Sequence, residues 1–264
     1  MIRRGESWVP TREGNIVAAD VAGLKVGYAD AARVVGSRGV DSYTKSLLHF
    51  EGANNSVAFQ DDTGKVWTPN GDAKISTTAP ARGLASGYFD GNGDYLTTPD
   101  HADFAFGSNN FTMEFCINND AGSSNCAIFD YEQDSDNYVR ASVDPSLLGG
   151  KFLFAAAVGG VTKANYFGAP LFTAGVWSHI AFVRSGTSVY LFKDSATIAL
   201  TTVTAISTNS LITSAANAII GAEYHAGAYD GHLFKGYLDE FRLSIGIARW
   251  TAAGFALGDA YGGT

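Results

Sequence analysis

Apolar and polar residues alternate in short runs along most of the chain. In the segment FTMEFCI (111–117), Phe, Met, Phe and Ile take the odd positions, while Thr, Glu and Cys take the even ones. This period of two is typical of a strand with one buried face. The segment WSHIAFVR (177–184) is apolar on both faces, which predicts a central strand covered on both sides. SVYLFK (188–193) follows after a Ser-Gly-Thr turn, so these two segments predict a β-hairpin.

The stretch GYLDEFRLSIGIARW (236–250) carries the same alternation with one interruption. Counting by twos gives an apolar face formed by Tyr237, Phe241, Leu243 and Ile245. Asp239 falls among these apolar residues, where an ionised carboxylate is costly unless a metal, a cation or several N–H donors meet it. We expect the last residues, IGIARW (245–250), to form a turn that folds Trp250 back onto the sandwich.

The composition agrees with a fold made of strands and turns. Of the 264 residues, 46 % are apolar and 17 % are charged, as in ordinary globular proteins. The chain contains 31 Gly, 17 Phe and 12 Tyr, a mixture that favours short strands joined by turns. About a dozen strands are predicted, and no convincing long helix. The sequence therefore predicts an all-β, antiparallel two-sheet sandwich that occupies residues 44–264.

Residues 1–43 differ from the rest, because this Gly/Ala/Val-rich segment has neither the helical nor the strand period over any long window. It cannot bury a core alone. We predict an extended N-terminal arm that gains order against another chain or against the following domain; a flexible tail is the alternative. The residues expected to anchor the arm are Trp8, Val9, Tyr28 and Val34.

Charge and cysteine content exclude several function classes. Eighteen basic and 26 acidic residues give a net charge of −8, without a basic cluster beyond Arg3 and Arg4. We therefore expect no binding to nucleic acid or to a membrane surface. We also expect no membrane span and no secretory signal. A disulfide between Cys116 and Cys126 is compatible with consecutive antiparallel strands, but reduced thiols are favoured because no export signal is visible.

Five segments resemble the laminin G-like jelly rolls of the concanavalin A-like lectin/glucanase family. In chain order they are LLHFEG (47–52), GYFDGNGDYL (87–96), FTMEFCI (111–117), GVWSHIAFVRSGTSVYLFKD (175–194) and GYLDEFRLSIGIARW (236–250). The ending in Ile-Ala-Arg-Trp is similar to modules of bacteriophage structural proteins such as tail fibres and virion decorations. The resemblance implies a jelly-roll sandwich related to carbohydrate-binding domains, with calcium bound near LLHFEG and YLDEF.

Acidic residues near those segments are the candidates for a calcium (Ca2+) site, which takes about six to eight oxygen ligands. Glu51 stands where many members of the family have Asp. For Asp239 the alternative is a set of hydrogen bonds from loop N–H groups, or an arginine partner. The candidate calcium ligands are Glu51, Asp90, Asp94, Asp239 and Glu240.

A glycan site needs exposed aromatic rings to stack on sugars and polar side chains to bind hydroxyls. Two groups of residues, interpreted as loops, offer both, although aromatic residues on strands more often belong to the core. The first group is Tyr131, Asp134, Asn137 and Tyr138, and the second is Tyr224, His225, Tyr229 and His232.

Catalysis is not expected from this sequence. The Glu-x-Asp-x-x-Glu strand of glycosidases that share this architecture is absent, and the five histidines form no metal-spaced cluster. The resemblance to phage modules implies a non-enzymatic virion protein, made in the host cytoplasm. We expect its arm to dock on other phage proteins and its sandwich to bind host-surface glycans. Several copies, as in a homo-oligomer, would make many weak contacts strong. The alternative is a capsid or tail decoration protein that packs on neighbouring subunits and binds no glycan.

Overall fold

A computed structural model describes residues 40–121, 125–144, 150–170, 172–214, 217–225 and 228–252. The predicted arm anchors Trp8, Val9, Tyr28 and Val34 lie outside this part of the chain, so the docking arm stays a prediction. Within the described ranges, no helix has both the length and the apolar character needed to span a membrane.

Within these ranges almost all regular structure is β, and a 3₁₀ helix spans Ala102–Phe104. In chain order the strands are β1 (Thr44–Leu48), β2 (Phe59–Gln60), β3 (Val66–Asn70), β4 (Lys74–Ser76), β5 (Ser86–Asp90), β6 (Tyr95–Pro99), β7 (Phe111–Asn119), β8 (Cys126–Asp134), β9 (Asn137–Asp144), β10 (Lys151–Val158), β11 (Val161–Gly168), β12 (Ser178–Ser185), β13 (Ser188–Lys193), β14 (Ala196–Ile198), β15 (Leu200–Thr204), β16 (Asn217–Ile220), β17 (Glu223–His225), β18 (Ala228–Gly231) and β19 (Lys235–Ile245).

The strands form two large antiparallel sheets. The first, sheet I, has the order β14-β13-β12-β7-β19-β5-β4, and β1 also pairs with β19. The second, sheet II, has the order β15-β11-β10-β9-β8-β16-β6-β3-β2, while β17 and β18 form a separate hairpin. The predicted all-β, two-sheet sandwich is therefore confirmed.

A core rich in phenylalanine lies between the two sheets. Phe182 of sheet I stacks on Phe154 of sheet II with ring centroids 4.4 Å apart, and Phe241 stacks on Phe129 at 5.7 Å. Such contacts add aromatic attraction to the burial of apolar area. The alternation predicted for residues 111–117 is confirmed, since its apolar members all belong to this core. The β12–β13 hairpin is also confirmed, with Ser185 opposite Ser188.

The two cysteines are buried and form no disulfide with each other. Cys116 lies in β7 of sheet I, whereas Cys126 lies in β8 of sheet II. The strands are consecutive in the chain, but they are not neighbours in one sheet. A cross-strand disulfide would need such a neighbour, so the structure favours reduced thiols.

A β-bulge in β19 changes the expected direction of one aromatic side chain. Asp239 pairs with Cys116, but the next pair joins Arg242 to Glu114, so β19 contains one extra residue. Glu240 takes a left-handed conformation there, with φ of 51°. Leu238 and Phe241 therefore both enter the core. The expectation that Tyr237 shares the face of Phe241 is wrong, because the bulge breaks the count by twos and leaves Tyr237 outside.

The chain after β19 covers part of the outer face of sheet I. Trp250 packs with Ala181, Val183 and Phe192, and its indole N–H donates to Glu114 over 3.1 Å. The predicted return of Trp250 onto the sandwich is confirmed. Glu114 is fully buried, and although burial alone would raise its pKa, Arg242 and His179 lower it to about 2. At this position the outer face of sheet I is covered by the Trp250 indole, and the Glu114–Arg242 ion pair lies buried beneath it.

Candidate functional site

The candidate site is built on a pair of oppositely charged residues on the outer face of sheet II. Phe129 and Tyr131 of β8 face the core, so the alternation along the strand turns Asp130 and Glu132 outward. Asp130 lies directly opposite Arg140 of β9. The guanidinium Nε donates to Asp130 Oδ1 over 3.0 Å.

Arg140 joins this pair to carboxylates from two other positions. Its terminal nitrogens donate to Glu132 and to Glu223 of β17, and Glu223 also bonds His232 Nδ1. The backbone N–H of Tyr224 donates to Asp130 Oδ2 over 2.8 Å. The β17–β18 hairpin is therefore held against β9 through the Glu223 carboxylate and against β8 through the Tyr224 backbone N–H. We call Asp130, Glu132, Arg140, Glu223 and His232 the Arg140 cluster.

Three carboxylates of this cluster share one guanidinium, so the protonation of the cluster changes near neutral pH. Burial raises the pKa of Asp130 to about 6, against the opposing effect of Arg140. Burial, reinforced by the Asp130 charge, raises the pKa of Glu132 to about 7. The pKa of Arg140 is raised because the neighbouring carboxylates outweigh its own burial. At neutral pH the cluster therefore holds a persistent cation beside carboxyls that are partly protonated.

The structure brings residues of both predicted glycan groups to this cluster. The Tyr138 ring lies 5.0 Å from the guanidinium carbon of Arg140, and the Tyr224 carbonyl accepts from the same guanidinium at 3.5 Å. His232 reaches solvent, with 44 % of its side chain exposed. Together these residues form a half-buried polar floor with aromatic and imidazole groups at its edge, an arrangement suited to binding hydroxyl groups.

Asp134 and Asn137 lie at the turn between β8 and β9. The Asn137 side chain donates to Asp134 over 2.8 Å and accepts the Gly159 N–H over 2.8 Å. They extend the edge of the Arg140 cluster at the exposed end of the same two strands. Both predicted groups thus contribute to one surface, because the hairpin after β16 folds over β8.

The expectation that Tyr131 offers an exposed ring in a loop is wrong. Tyr131 lies within β8, is fully buried and packs on Phe104 and Phe106, and its hydroxyl donates to Asp100 over 2.5 Å. Its neighbours on the strand face outward, so its own ring must enter the core. The side chains of His225 and Tyr229 lie outside the described part of the structure.

Sequence reasoning missed Asp130, Glu132, Arg140 and Glu223. One signal was present: Asp130 interrupts the apolar run of CAIFDY (126–131), as Asp239 interrupts its own strand. The partner was not visible, because Arg140 meets Asp130 only through the register of β8 and β9. Both oxygens of the fully buried Asp130 are hydrogen-bonded, so this carboxylate is fixed in place beneath the surface.

The predicted calcium ligands fall in two separate places. Glu51 and Asp239 lie on one side, where both bind the backbone of one loop. Asp239 accepts the N–H groups of Ala81 and Arg82, over 3.0 and 2.9 Å, and that of Glu240 over 2.8 Å. Burial raises the pKa of Asp239 well above its usual range. The alternative of loop N–H donors thus describes Asp239, and calcium there would have to displace donors that already satisfy the carboxylate.

The same loop explains the position of Glu51. Its Oε1 accepts the Leu84 N–H over 2.8 Å and would lie 1.7 Å from a Cβ on Gly83, whose φ is +59°. Glu240 instead contacts the imidazole of His49 at 2.8 Å. These carboxylates therefore fix a loop and a histidine, and the donor sets around them fit a cation poorly.

Asp90 and Asp94 form a different cluster with Asp72, which the sequence analysis did not single out. One oxygen from each lies within 4.8 Å of the others. Two ligands on opposite sides of calcium would be about 4.8 Å apart, given a Ca–O distance of about 2.4 Å. Burial and the neighbouring Asp90 and Asp72 charges raise the pKa of Asp94, which also accepts their N–H groups. Asp94 accepts backbone N–H groups, as Asp239 does, but here the carboxylates of Asp72 and Asp90 converge with it, and this makes the cluster the better of the two for calcium.

The fold is a two-sheet antiparallel β-sandwich that carries a half-buried polar surface on sheet II. The chain belongs to the concanavalin A-like lectin/glucanases superfamily, whose family model matches residues 90–245. No curated protein sequence matches the chain.

Solved structures share the fold at low sequence identity. Domain 4 of the extracellular GH43 arabinanase AbnA from Geobacillus stearothermophilus, in complex with arabinotriose, has a TM-score of 0.53 and 16 % identity, covering 78 % of this chain and 95 % of that domain. The botulinum neurotoxin serotype D binding domain has a TM-score of 0.55 and 7 % identity over 76 % of this chain and 48 % of that one. The receptor-binding domain of botulinum neurotoxin mosaic serotype C/D has a TM-score of 0.54 and 8 % identity, covering 76 % and 47 %.

Proposed function

We propose that this protein is a non-enzymatic, carbohydrate-binding structural protein of a bacteriophage virion. The observation that carries the binding proposal is the Arg140 cluster. Asn137 and the exposed His232 offer N–H donors, Asp134 and the cluster carboxylates offer acceptors, and the Tyr138 ring offers an apolar face, while Arg140 holds the carboxylates in place. A glycan presents hydroxyls and C–H faces, which match these groups.

Two further observations support a binding role over catalysis. Asp130 is fully buried, so its carboxylate is not exposed to a substrate as the carboxylates of a glycosidase must be. A carbohydrate-bound sandwich domain of an arabinanase has the same fold, although low identity makes this an analogy of architecture only. The proposed ligand is a host-surface glycan.

The particle context is proposed from the sequence resemblance. In this proposal, residues 1–43 dock on other capsid or tail proteins, and the sandwich faces outward on a homo-oligomer. Synthesis takes place in the host cytoplasm and the mature location is the virion. Repetition on a particle would convert weak single-site binding into strong attachment, because linked sites bind at a high effective concentration. Nucleic acid and membranes are not proposed as partners.

Calcium is proposed as a stabilising ion at Asp72, Asp90 and Asp94. It would join the β3–β4 turn to the loop between β5 and β6, which supply these three carboxylates. The ion would offset the repulsion between the three negative groups.

A glycan array followed by calorimetry tests the binding proposal. The protein is applied with Tyr138→Ala and His232→Ala, which alter the exposed edge of the cluster and leave the ion pairs of Arg140 in place. Tyr43→Ala is the matched control, because Tyr43 is 43 % exposed at the start of β1 in sheet I. We expect wild type and control to bind a common glycan and the two variants to bind it about tenfold more weakly.

Binding that is equal in all four proteins would reject the Arg140 cluster as the site. If no glycan bound to wild type, and particles without the protein adsorbed normally to host cells, the decoration alternative would replace the proposal.

A further inference from the structure

A transverse row of side chains crosses the outer face of sheet I. Tyr88 of β5 is paired with Tyr237 of β19, and Tyr237 is paired with Asn118 of β7. Lys74 of β4 is paired with Tyr88 at one end. At the other end, Trp177 directly precedes Ser178, which pairs with Ile117, so Trp177 lies beside Asn118. Directly paired residues share one face of a sheet, and we call these five the aromatic row.

The row faces away from the core. The residues next to its members along each strand are Ile75, Phe89, Ile117 and Leu238, and all of them belong to the core. Lys74, Tyr88, Tyr237 and Trp177 are half-buried, so the row remains in contact with solvent. The bulge at Asp239 and Glu240 is what places Tyr237 in this row. Bulges are common beside functional sites, where they re-aim a side chain.

The aromatic rings of the row form an angled platform. The Tyr88 and Tyr237 centroids are 4.9 Å apart at an interplanar angle of 45°, and those of Tyr237 and Trp177 are 6.5 Å apart at 56°. Trp177 and Tyr237 come from strands that are two positions apart, about 9.6 Å between backbones. Their rings therefore lean toward each other above Asn118, which lies between them.

A second observation, independent of the rings, points to a ligand. Asn118 is 6 % exposed, and its side-chain oxygen Oδ1 is buried without a hydrogen-bond partner. Buried acceptors are normally satisfied, because an unmade hydrogen bond is costly. Asn118 pairs with Tyr237 and lies beside Trp177 on the outer face. A ligand hydroxyl that reaches its oxygen as these rings shift would supply the missing donor.

The charges near the row decide between ligand classes. Burial raises the pKa of both Tyr88 and Tyr237. The negative charge of Asp120, which follows β7, raises both further. Lys74 lies 5.6 Å from the Tyr88 ring centroid. One cation beside acidic residues disfavours phosphate-bearing ligands. Aromatic faces, an amide oxygen and a carboxylate acceptor instead match a neutral sugar ring with one apolar face and several hydroxyls.

We propose that the aromatic row is a second ligand site, which binds a neutral pyranose by stacking on Tyr237 and Trp177 and by a hydroxyl hydrogen bond to Asn118 Oδ1. This site lies on sheet I, on the opposite side of the sandwich from the Arg140 cluster. It shares the carbohydrate class of the proposed function but none of its residues. A module with both sites can hold two glycan strands at once.

The test uses the full chain labelled with nitrogen-15 and four neutral probes: maltotetraose, cellotetraose, mannotetraose and N-acetylchitotetraose at millimolar concentration. Two NMR signals report on the row directly, the Trp177 indole N–H and the Asn118 side-chain amide. We expect at least one probe to shift both signals. Tyr237→Ala should weaken that binding by about tenfold, a loss typical of one stacking contact. Tyr190→Ala on the outer face of β13 is the matched aromatic control and should bind as wild type.

Asn118→Ala separates a ligand role from a structural one. It removes a buried acceptor that has no partner, so the melting temperature should stay the same or rise, while binding of the probe weakens. Tyr138→Ala, at the Arg140 cluster, should leave probe binding at the row unchanged.

Three results would overturn the second site. The first is that no probe shifts the two signals, and the second is that shifts occur only around Tyr138 and Arg140. The third is that Asn118→Ala unfolds the protein while Tyr237→Ala binds the probe normally. The second of these would still support the proposed function, so the two proposals fail separately.

Discussion

Folding strongly raises the pKa of Glu132. It is 2 % exposed, and burial with the Asp130 charge raises its pKa to about 7, from the ordinary value of 4.5. The pKa of Asp130 is raised in the same direction, to about 6. The folded protein therefore keeps protons that the unfolded chain releases between about pH 4.5 and pH 7. The stabilisation from Glu132 is fully present below about pH 4.5 and is lost as the pH rises through 7.

We predict that the free energy of unfolding falls by on the order of 2 kcal/mol between pH 5 and pH 7.5. Glu132→Gln should flatten this slope, because the amide mimics the protonated carboxyl. Urea denaturation at both pH values measures the effect. Asp134→Asn, at the exposed turn of the same strand, is the control and should keep the wild-type slope. An unchanged slope in Glu132→Gln would contradict the assignment.

The two buried aspartates show what single residues reveal before a structure is known. Asp239 interrupts an apolar face, which predicts a metal, a cation or several N–H donors around it, and loop N–H donors meet it in the structure. Asp130 interrupts its strand in the same way, but its partners come from β9 and from a hairpin about 90 residues away. A local pattern shows that a buried charge needs a partner, and only long-range register supplies the partner's identity.

Among the secondary-structure elements, strands whose alternation is unbroken were predictable and the irregular one was not. The buried face of β7 and the hairpin of β12 and β13 follow directly from the period of two. The bulge in β19 does not, because Glu240 gives no sequence signal for a positive φ. One extra residue exchanges the two faces of the strand for all residues before the bulge. Tyr237 therefore lies on the outer face and not on the expected core face.

The segment that carries Trp250 should contribute strongly to stability. Trp250 covers Val183 and Phe192 and donates to the fully buried Glu114. Trp250→Ala would leave a cavity and remove one donor from that carboxylate, so we predict a loss of about 3–5 kcal/mol in the free energy of unfolding. Trp250→Phe keeps most of the packing and should lose about 1–2 kcal/mol through the missing N–H alone.

Chemical denaturation of the two Trp250 variants gives these values. Equal losses would show that the hydrogen bond to Glu114, not the packing, dominates. Losses below about 1 kcal/mol in both would contradict the packing of the segment on sheet I.

Two turns, residues 70–73 and 90–94, are the elements that a calcium ion would join. We predict that added calcium raises the melting temperature and that a chelator reverses the rise, because an ion that binds only the folded state stabilises it. Asp72→Asn and Asp90→Asn should abolish the shift while retaining the turns. Glu51→Gln, at the loop on the other side, is the control and should leave the shift intact. A calcium effect that Glu51→Gln removes would instead place the ion near Asp239.

At the scale of the whole molecule, the sandwich presents two different outer faces. Sheet II carries the Arg140 cluster under a hairpin, whereas sheet I carries the aromatic row at one end and the Trp250 segment at the other. The overall architecture followed from composition and period, because many short strands with apolar faces can bury them only against each other. The order of strands in each sheet could not be read in this way, and it decides which residues meet on each face.

The docking role of the arm belongs to the assembled particle. A deletion should end at residue 39, because Asp41 binds Arg249 at 2.9 Å and the Tyr43 carbonyl accepts the Ile245 N–H at 2.9 Å. We predict that the shortened protein unfolds at nearly the same temperature as the full chain, since the core begins after this point. Its incorporation into particles should be lost, because the contacts proposed for the arm are removed. Thermal melts and quantitative mass spectrometry of purified particles measure the two effects, and Trp8→Ala should show a smaller loss of incorporation. If the shortened protein enters particles as efficiently as the full chain, the arm does not dock, and the sandwich itself must make the contact with neighbouring subunits.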